Sequence, residues 1–271
     1  MPPSAPTRTW SFAGRIAGWG TTSGTRFVLG NWHTTPLGSF AGVMVQRPDG
    51  HRILLAPSAQ VAEFVSATYQ FDAVKPTAVR VQRYRANSAR GEPEAGLRPA
   101  ADAEDTGRRS PADADDAGLR SPADAEDAGL RLPEDAEPVP PTASTTAGEG
   151  WQVEAGPLTA TLQVGRRAGL GWLLRTLPAG VAAAPWFTYL TDPIARVVLP
   201  GVRTRGSAGG GRREYYGARD LHRISAAVTA WEGEDLGAMV PIDPPVQFGF
   251  ASTPARPSVT DLVTTVRGED P

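Results

Sequence analysis

The chain has 271 residues, 40% of them hydrophobic and 21% charged, enough apolar material for a core, which excludes a wholly disordered polypeptide. Cysteine is absent, and with it disulfides, thiolate metal sites and a cysteine nucleophile. The net charge of −2 hides two opposed parts: residues 86–150 hold fifteen acids and six arginines, a net of −9, and the remainder carries +7.

Lys75 is the single lysine among 27 basic residues, and alanine, glycine and proline are abundant, as GC-rich coding produces; one arginine alone therefore says little about function. Residues 1–9 have no apolar signal-peptide core, and no run of about 18 apolar residues occurs, so a soluble, cytoplasmic protein without a membrane span is expected.

Taken in order, residues 10–19 and 26–32 read as short strands on either side of a Thr-Thr-Ser-Gly turn. Residues 42–46 and 52–56 flank Asp49-Gly50, a hairpin signal, because glycine accepts the positive φ that such turns need. Ser58 caps a helix expected to run to about Tyr69, with Val61, Phe64, Val65, Thr68 and Tyr69 on one stripe that covers a sheet. Residues 77–84 alternate imperfectly as a strand.

The next segment differs in kind. Residues 110–120 and 121–131 are near-copies of an eleven-residue unit, and 99–109 is a degraded third. An eleven-residue period can mark a right-handed coiled coil, but each unit holds at most one large apolar residue together with Pro and Gly. Such units cannot offset the entropy of ordering, so 86–150 is expected to be a disordered acidic insertion. The aspartate spacing lacks the calcium-loop pattern.

Residues 151–155 and 158–164 resume the strands across Gly156-Pro157, and the insertion would hang from the connection between 77–84 and 151–155. A helix is expected at 168–177, ended by Pro178. The following apolar segment to Leu190 would pack on the sheet or lie on a membrane surface. Asp192-Pro193 would open a third helix to about Leu199. Residues 222–231, 246–251 and 258–267 complete the strands.

The ligand-competent stretch is 203–223, with six arginines, two acids, a glycine cluster, two tyrosines and His222. Gly206–Gly211 could wrap an anion with backbone N–H groups, yet it matches neither a P-loop nor a dinucleotide fingerprint. Arg203, Arg205, Arg212, Arg213 and Arg219 would supply forked donors, and Tyr215 and Tyr216 an apolar wall. Arg212 and Arg213 are expected to be exposed, serving affinity and hardly stability. Asp220 and His222, two apart on one strand face, are the candidate acid/base pair. No metal set and no cofactor is implied.

These elements predict an α+β fold with a largely antiparallel, curved or barrel-like sheet of about nine to ten strands and about three covering helices. Residues 8–85 and 151–267 would form two parts of one core around the insertion at 86–150. Lipocalin-like and acetoacetate-decarboxylase-like barrels are fold-level analogies only; no motif of either is present. The expected function is binding or sensing of a small anionic, partly apolar molecule in a barrel-type pocket. An enzyme using Asp220 and His222 is one alternative. Contact of the basic core with an anionic membrane surface or polymer is another, with nucleic acid disfavoured.

Overall fold

Side chains alternate across a strand, so each long strand of this chain has two faces to bury. The computed structural model describes residues 7–85, 148–175, 205–207, 209–249 and 253–268. In chain order the elements are β1 Arg8–Thr21, β2 Arg26–Thr34, β3 Phe40–Gln46, β4 Arg52–Ala56, α1 Ala59–Ser66, β5 Ala73–Pro76, β6 Val79–Arg85, β7 Glu149–Ala155, β8 Leu158–Arg167, α2 Gly169–Arg175, β9 Arg205–Ser207, β10 Arg213–Trp231, β11 Glu234–Asp235, β12 Met239–Val240 and β13 Ser258–Gly268. Ten of the strands form one sheet in the order β5-β4-β3-β2-β1-β13-β10-β8-β7-β6. Its pairs are antiparallel except β4–β5, which are parallel because α1 supplies the crossover.

The sheet curls into a half-barrel. Val43, Val45, Ile53 and Leu55 from one end share a core with Trp151, Val153, Leu158 and Leu162 from the other, around Trp19, Phe27 and Leu29. Trp19 stacks on Phe27 at 5.1 Å and donates its indole N–H to Thr229 at 3.0 Å, so even this buried ring leaves no donor unpaired. The opposite face of β1 to β4 presents Ile16, Val28, Met44 and Leu54, over which α1 and residues 242–248 pack.

Local chemistry explains the elements. Ser58 caps α1 by accepting from the Val61 N–H at 3.2 Å. The helix stops at Ser66, short of the expected Tyr69, because Thr68 N–H turns to Val65 O and the Thr68 hydroxyl to Phe64 O. Residues 246–251 do not continue as a strand where described. Pro244 and Pro245 lack N–H donors, the Gln247 N–H goes to the Gln46 side chain at 2.7 Å, and Gln70 N–H goes to Phe248 O.

Three covering helices are not found: α1 and α2 are the α-helices among the described residues, and the one expected from 193 lies outside them. So do the segment at 178–190 and residues 86–147 of the repeat region. β6 and β7 on either side of that region are neighbours, paired from Val79↔Ala155 to Arg85↔Glu149. Among the described residues no helix is long and apolar enough to cross a membrane.

Candidate functional site: an apolar slot with one buried carboxyl

A short helix laid over a wide sheet face leaves space beneath it. The cavity under α1 has a volume of about 80 Å³, room for about five water-sized spheres. Its lining comes from β3 and β4 at one end (Met44, Leu54) and β10 at the other (Glu214, Tyr216). Four strand spacings separate β3 from β10, roughly 19 Å along the sheet at about 4.8 Å each, so the space is a slot rather than a sphere. Trp32 lies down over the sheet because Gly14 and Gly30 have no Cβ; a side chain at either would collide with the indole. Phe12 meets that indole edge-on at 5.9 Å and Phe64 at 5.0 Å.

One acid interrupts this apolar lining. Glu214 is 1% exposed and sits with Tyr69, from just beyond α1, and Tyr216, two residues along its own strand. Tyr69 Oη is 2.9 Å from Glu214 Oε1, Tyr216 Oη is 3.1 Å from Oε2, and the two hydroxyls are 2.7 Å apart. The three groups thus close a ring. Burial pushes the Glu214 carboxyl up to about 7, against the opposing pull of the two tyrosine hydrogen bonds and the Arg212 charge. Burial, then the nearby Glu214, raises the Tyr69 phenol well above its ordinary value. A carboxyl poised near neutrality at the end of an apolar cavity can take up or release a proton under ordinary conditions.

The arginines expected at a ligand site are dispersed. Arg203 lies outside the described residues, and Arg205 falls in β9. Arg212 is not exposed as expected: it is 2% exposed, with its guanidinium 4.7 Å from the Phe64 ring centre and 5.2 Å from that of Trp10. It donates to Phe64 O at 3.1 Å and to the Thr68 hydroxyl at 2.9 Å, which ties the end of α1 to the start of β10. Arg213 is exposed and Arg219 half-buried. Tyr215 is buried with Arg267 over its ring at 5.6 Å. Of the residues singled out in this stretch, Tyr216 lines the cavity and the described arginines do not.

Asp220 and His222 do come together, with His222 Nε2 3.5 Å from Asp220 Oδ2, longer than a hydrogen bond. Asp220 is held instead by the Arg167 fork, Nε to Oδ1 at 2.8 Å and Nη2 to Oδ2 at 2.9 Å, and by the Leu221 N–H at 2.8 Å. His222 is 2% exposed, its Nδ1 is 3.2 Å from Gly165 O, and it lines none of the described cavities. The pair is built like a structural clamp between β10 and β8. A third polar group, Arg15 with Asp261 at 2.8 Å and Glu149 at 3.3 Å, is buried on the inner face against Trp151. A wider hollow of about 400 Å³ between the start of α2 and residues 254–258 has Arg223 and Arg256 in its lining, both exposed. Among the described residues no group of three His, Asp or Glu is placed to hold a metal ion.

Glu214 and Tyr69 are the site residues that pattern reading passed over. The Glu214/Tyr216 spacing of two, which puts both on one strand face, was the available signal. Comparison of the chain with protein-family models, curated proteins and solved structures finds no match.

Proposed function

We propose that the protein binds a small, slender, largely apolar molecule in the slot beneath α1, with the Glu214–Tyr69–Tyr216 ring as its polar anchor. A curled half-barrel sheet is compatible with a ligand-binding fold. The observation that carries the reading is a single buried carboxyl set among Phe12, Trp32, Phe64, Val246 and Phe248, the composition of a small-molecule site with one orienting group. The anionic preference expected from residues 203–223 gains no support from the described residues of this lining, which include no arginine. Calorimetric titration with 1-hexanol, a neutral probe of matching shape, tests the reading. Saturable binding is expected, together with its loss in Val65→Trp, which fills the slot from α1 with an indole. No binding to the wild type, or equal binding to the filled variant, would refute it.

An acid/base enzyme is the second reading, and the observation that favours it is the Glu214 carboxyl raised to about 7. It moves the proton-handling role from Asp220 and His222 to Glu214, because Asp220 is committed to Arg167.

A further inference from the structure

The three oxygen contacts of the ring fix how many protons it holds. Each contact, at 2.7, 2.9 and 3.1 Å, needs one proton between its two oxygens. With Glu214 ionised, the two phenols bring two protons for three contacts, and one pair of oxygens faces each other with none. With Glu214 protonated there are three protons for three contacts: the carboxyl donates to Tyr216, Tyr216 to Tyr69, and Tyr69 back to the carboxyl. Geometry therefore favours a neutral Glu214 in the empty site. The titratable and charged groups packed against it are Tyr69 after α1, Tyr216 on its own strand and Arg212 ahead of it. β13, β1 and the segment over the slot bring Val266, Thr264, Phe12 and Phe248, none of them ionisable.

With three protons taken up in its three contacts, the ring turns oxygen lone pairs toward the slot. A carboxylate head would meet acceptor against acceptor. An ammonium head fits: it donates to the carboxyl oxygen, the carboxyl proton leaves to solvent, and the buried pair is one anion with one cation. Its apolar body lies against the aromatic lining, which also favours a cation where ring faces are offered.

Resting on the slot as the binding site, we propose that its ligand is an amphiphilic amine, bound as the ammonium ion with displacement of one proton from the Glu214–Tyr69–Tyr216 ring.

The test compares three probes of one chain length, hexylamine, 1-hexanol and hexanoate, by calorimetry from pH 5.5 to 8.5 in two buffers of different ionisation heat. Hexylamine, cationic throughout, should bind about tenfold more tightly per pH unit below 7 and then level off, releasing about one proton at the acid end. Hexanol should bind with no pH dependence, and hexanoate most weakly above pH 6. Glu214→Gln should flatten the amine's pH profile and end the proton release on binding. Should that variant not fold, Tyr216→Phe serves: it removes two of the ring's three contacts and should shift the amine's break point, and an unmoved break point counts against the ring. A flat hexylamine profile, or hexanoate binding more tightly than hexylamine, overturns the amine inference and, if hexanol still binds, leaves the slot reading standing. No binding by any of the three overturns both.

Discussion

Glu214→Gln separates the buried carboxyl from every other titrating group in the chain. Its wild-type carboxyl is raised from 4.5 to about 7, with burial as the leading cause. The sign follows from proton counting. Between those two values the folded protein holds a proton that the unfolded chain has lost, so stability falls as pH rises. The contribution is fully present below 4.5 and gone above about 7. At about 1.4 kcal/mol per unit the span corresponds to about 3 kcal/mol. An amide is the neutral counterpart of the protonated carboxyl: its N–H can donate within the ring and its oxygen can accept from a tyrosine. The variant should therefore come closest to the wild type at about pH 4 and exceed it by about 3 kcal/mol at pH 8. Urea unfolding of both proteins across that range measures the difference. Subtraction cancels groups common to both, such as His33, whose imidazole is lowered by burial and by Arg15 and Arg83, and whose contribution is lost on the acid side. A difference that stays constant with pH would refute a neutral buried Glu214. So would a variant less stable at pH 8.

Arg212→Ala should cost about 2 kcal/mol or more, since it removes two hydrogen bonds and a stacked guanidinium from a buried position, whereas Arg213→Ala at the neighbouring exposed position should stay within about 0.5 kcal/mol; equal midpoints in thermal melts would contradict the burial. Gly50→Val should destabilise by about 1 kcal/mol or more: Gly50 has φ +88° with open space around it, so the cost is conformational and not steric crowding. An unchanged urea midpoint would refute that. Replacing 86–147 with a short Gly-Ser linker should leave a folded protein of similar midpoint, because the flanking residues Arg85 and Glu149 are already cross-strand partners. Loss of cooperative unfolding would show that the segment is needed for the core.

Local signals read correctly where one or two residues decide the geometry. The Asp49-Gly50 turn forms with His51 N–H on Asp49 Oδ1 and Gly50 N–H on Arg47 O, and Ser58 caps α1. Signals failed where partners come from afar. Val246 to Phe248 is apolar like a strand, but the prolines before it and the Gln46 side chain across from it take its hydrogen bonding elsewhere. In an arginine-rich chain nothing local marks Arg212 as the one stacked under α1. Tyr69 and Glu214 stand 145 positions apart, and Tyr69 reads as one more member of a helix stripe.

The two faces of the sheet explain why the site lies where it does. The inner face closes on itself, and Trp19, Trp151, Leu158 and Leu162 fill it with 0% exposure. The outer face of β1 to β4, β13 and β10 is as wide, yet the described chain covers it with the eight-residue α1 and the irregular 242–248 segment. A helix is about 10 Å across with its side chains, and the face spans roughly 19 Å, so α1 alone does not span it, and among the described residues a slot remains beneath it. Packing alone would close the gap with larger apolar residues, as dense cores do. Instead glycines at 14, 30 and 42 keep the floor low, and an acid stands at the far end where an apolar residue would cost less. A fold that forgoes both packing and cheap burial in the same place departs from its own stability rules there, and such departures mark working sites more often than scaffolding.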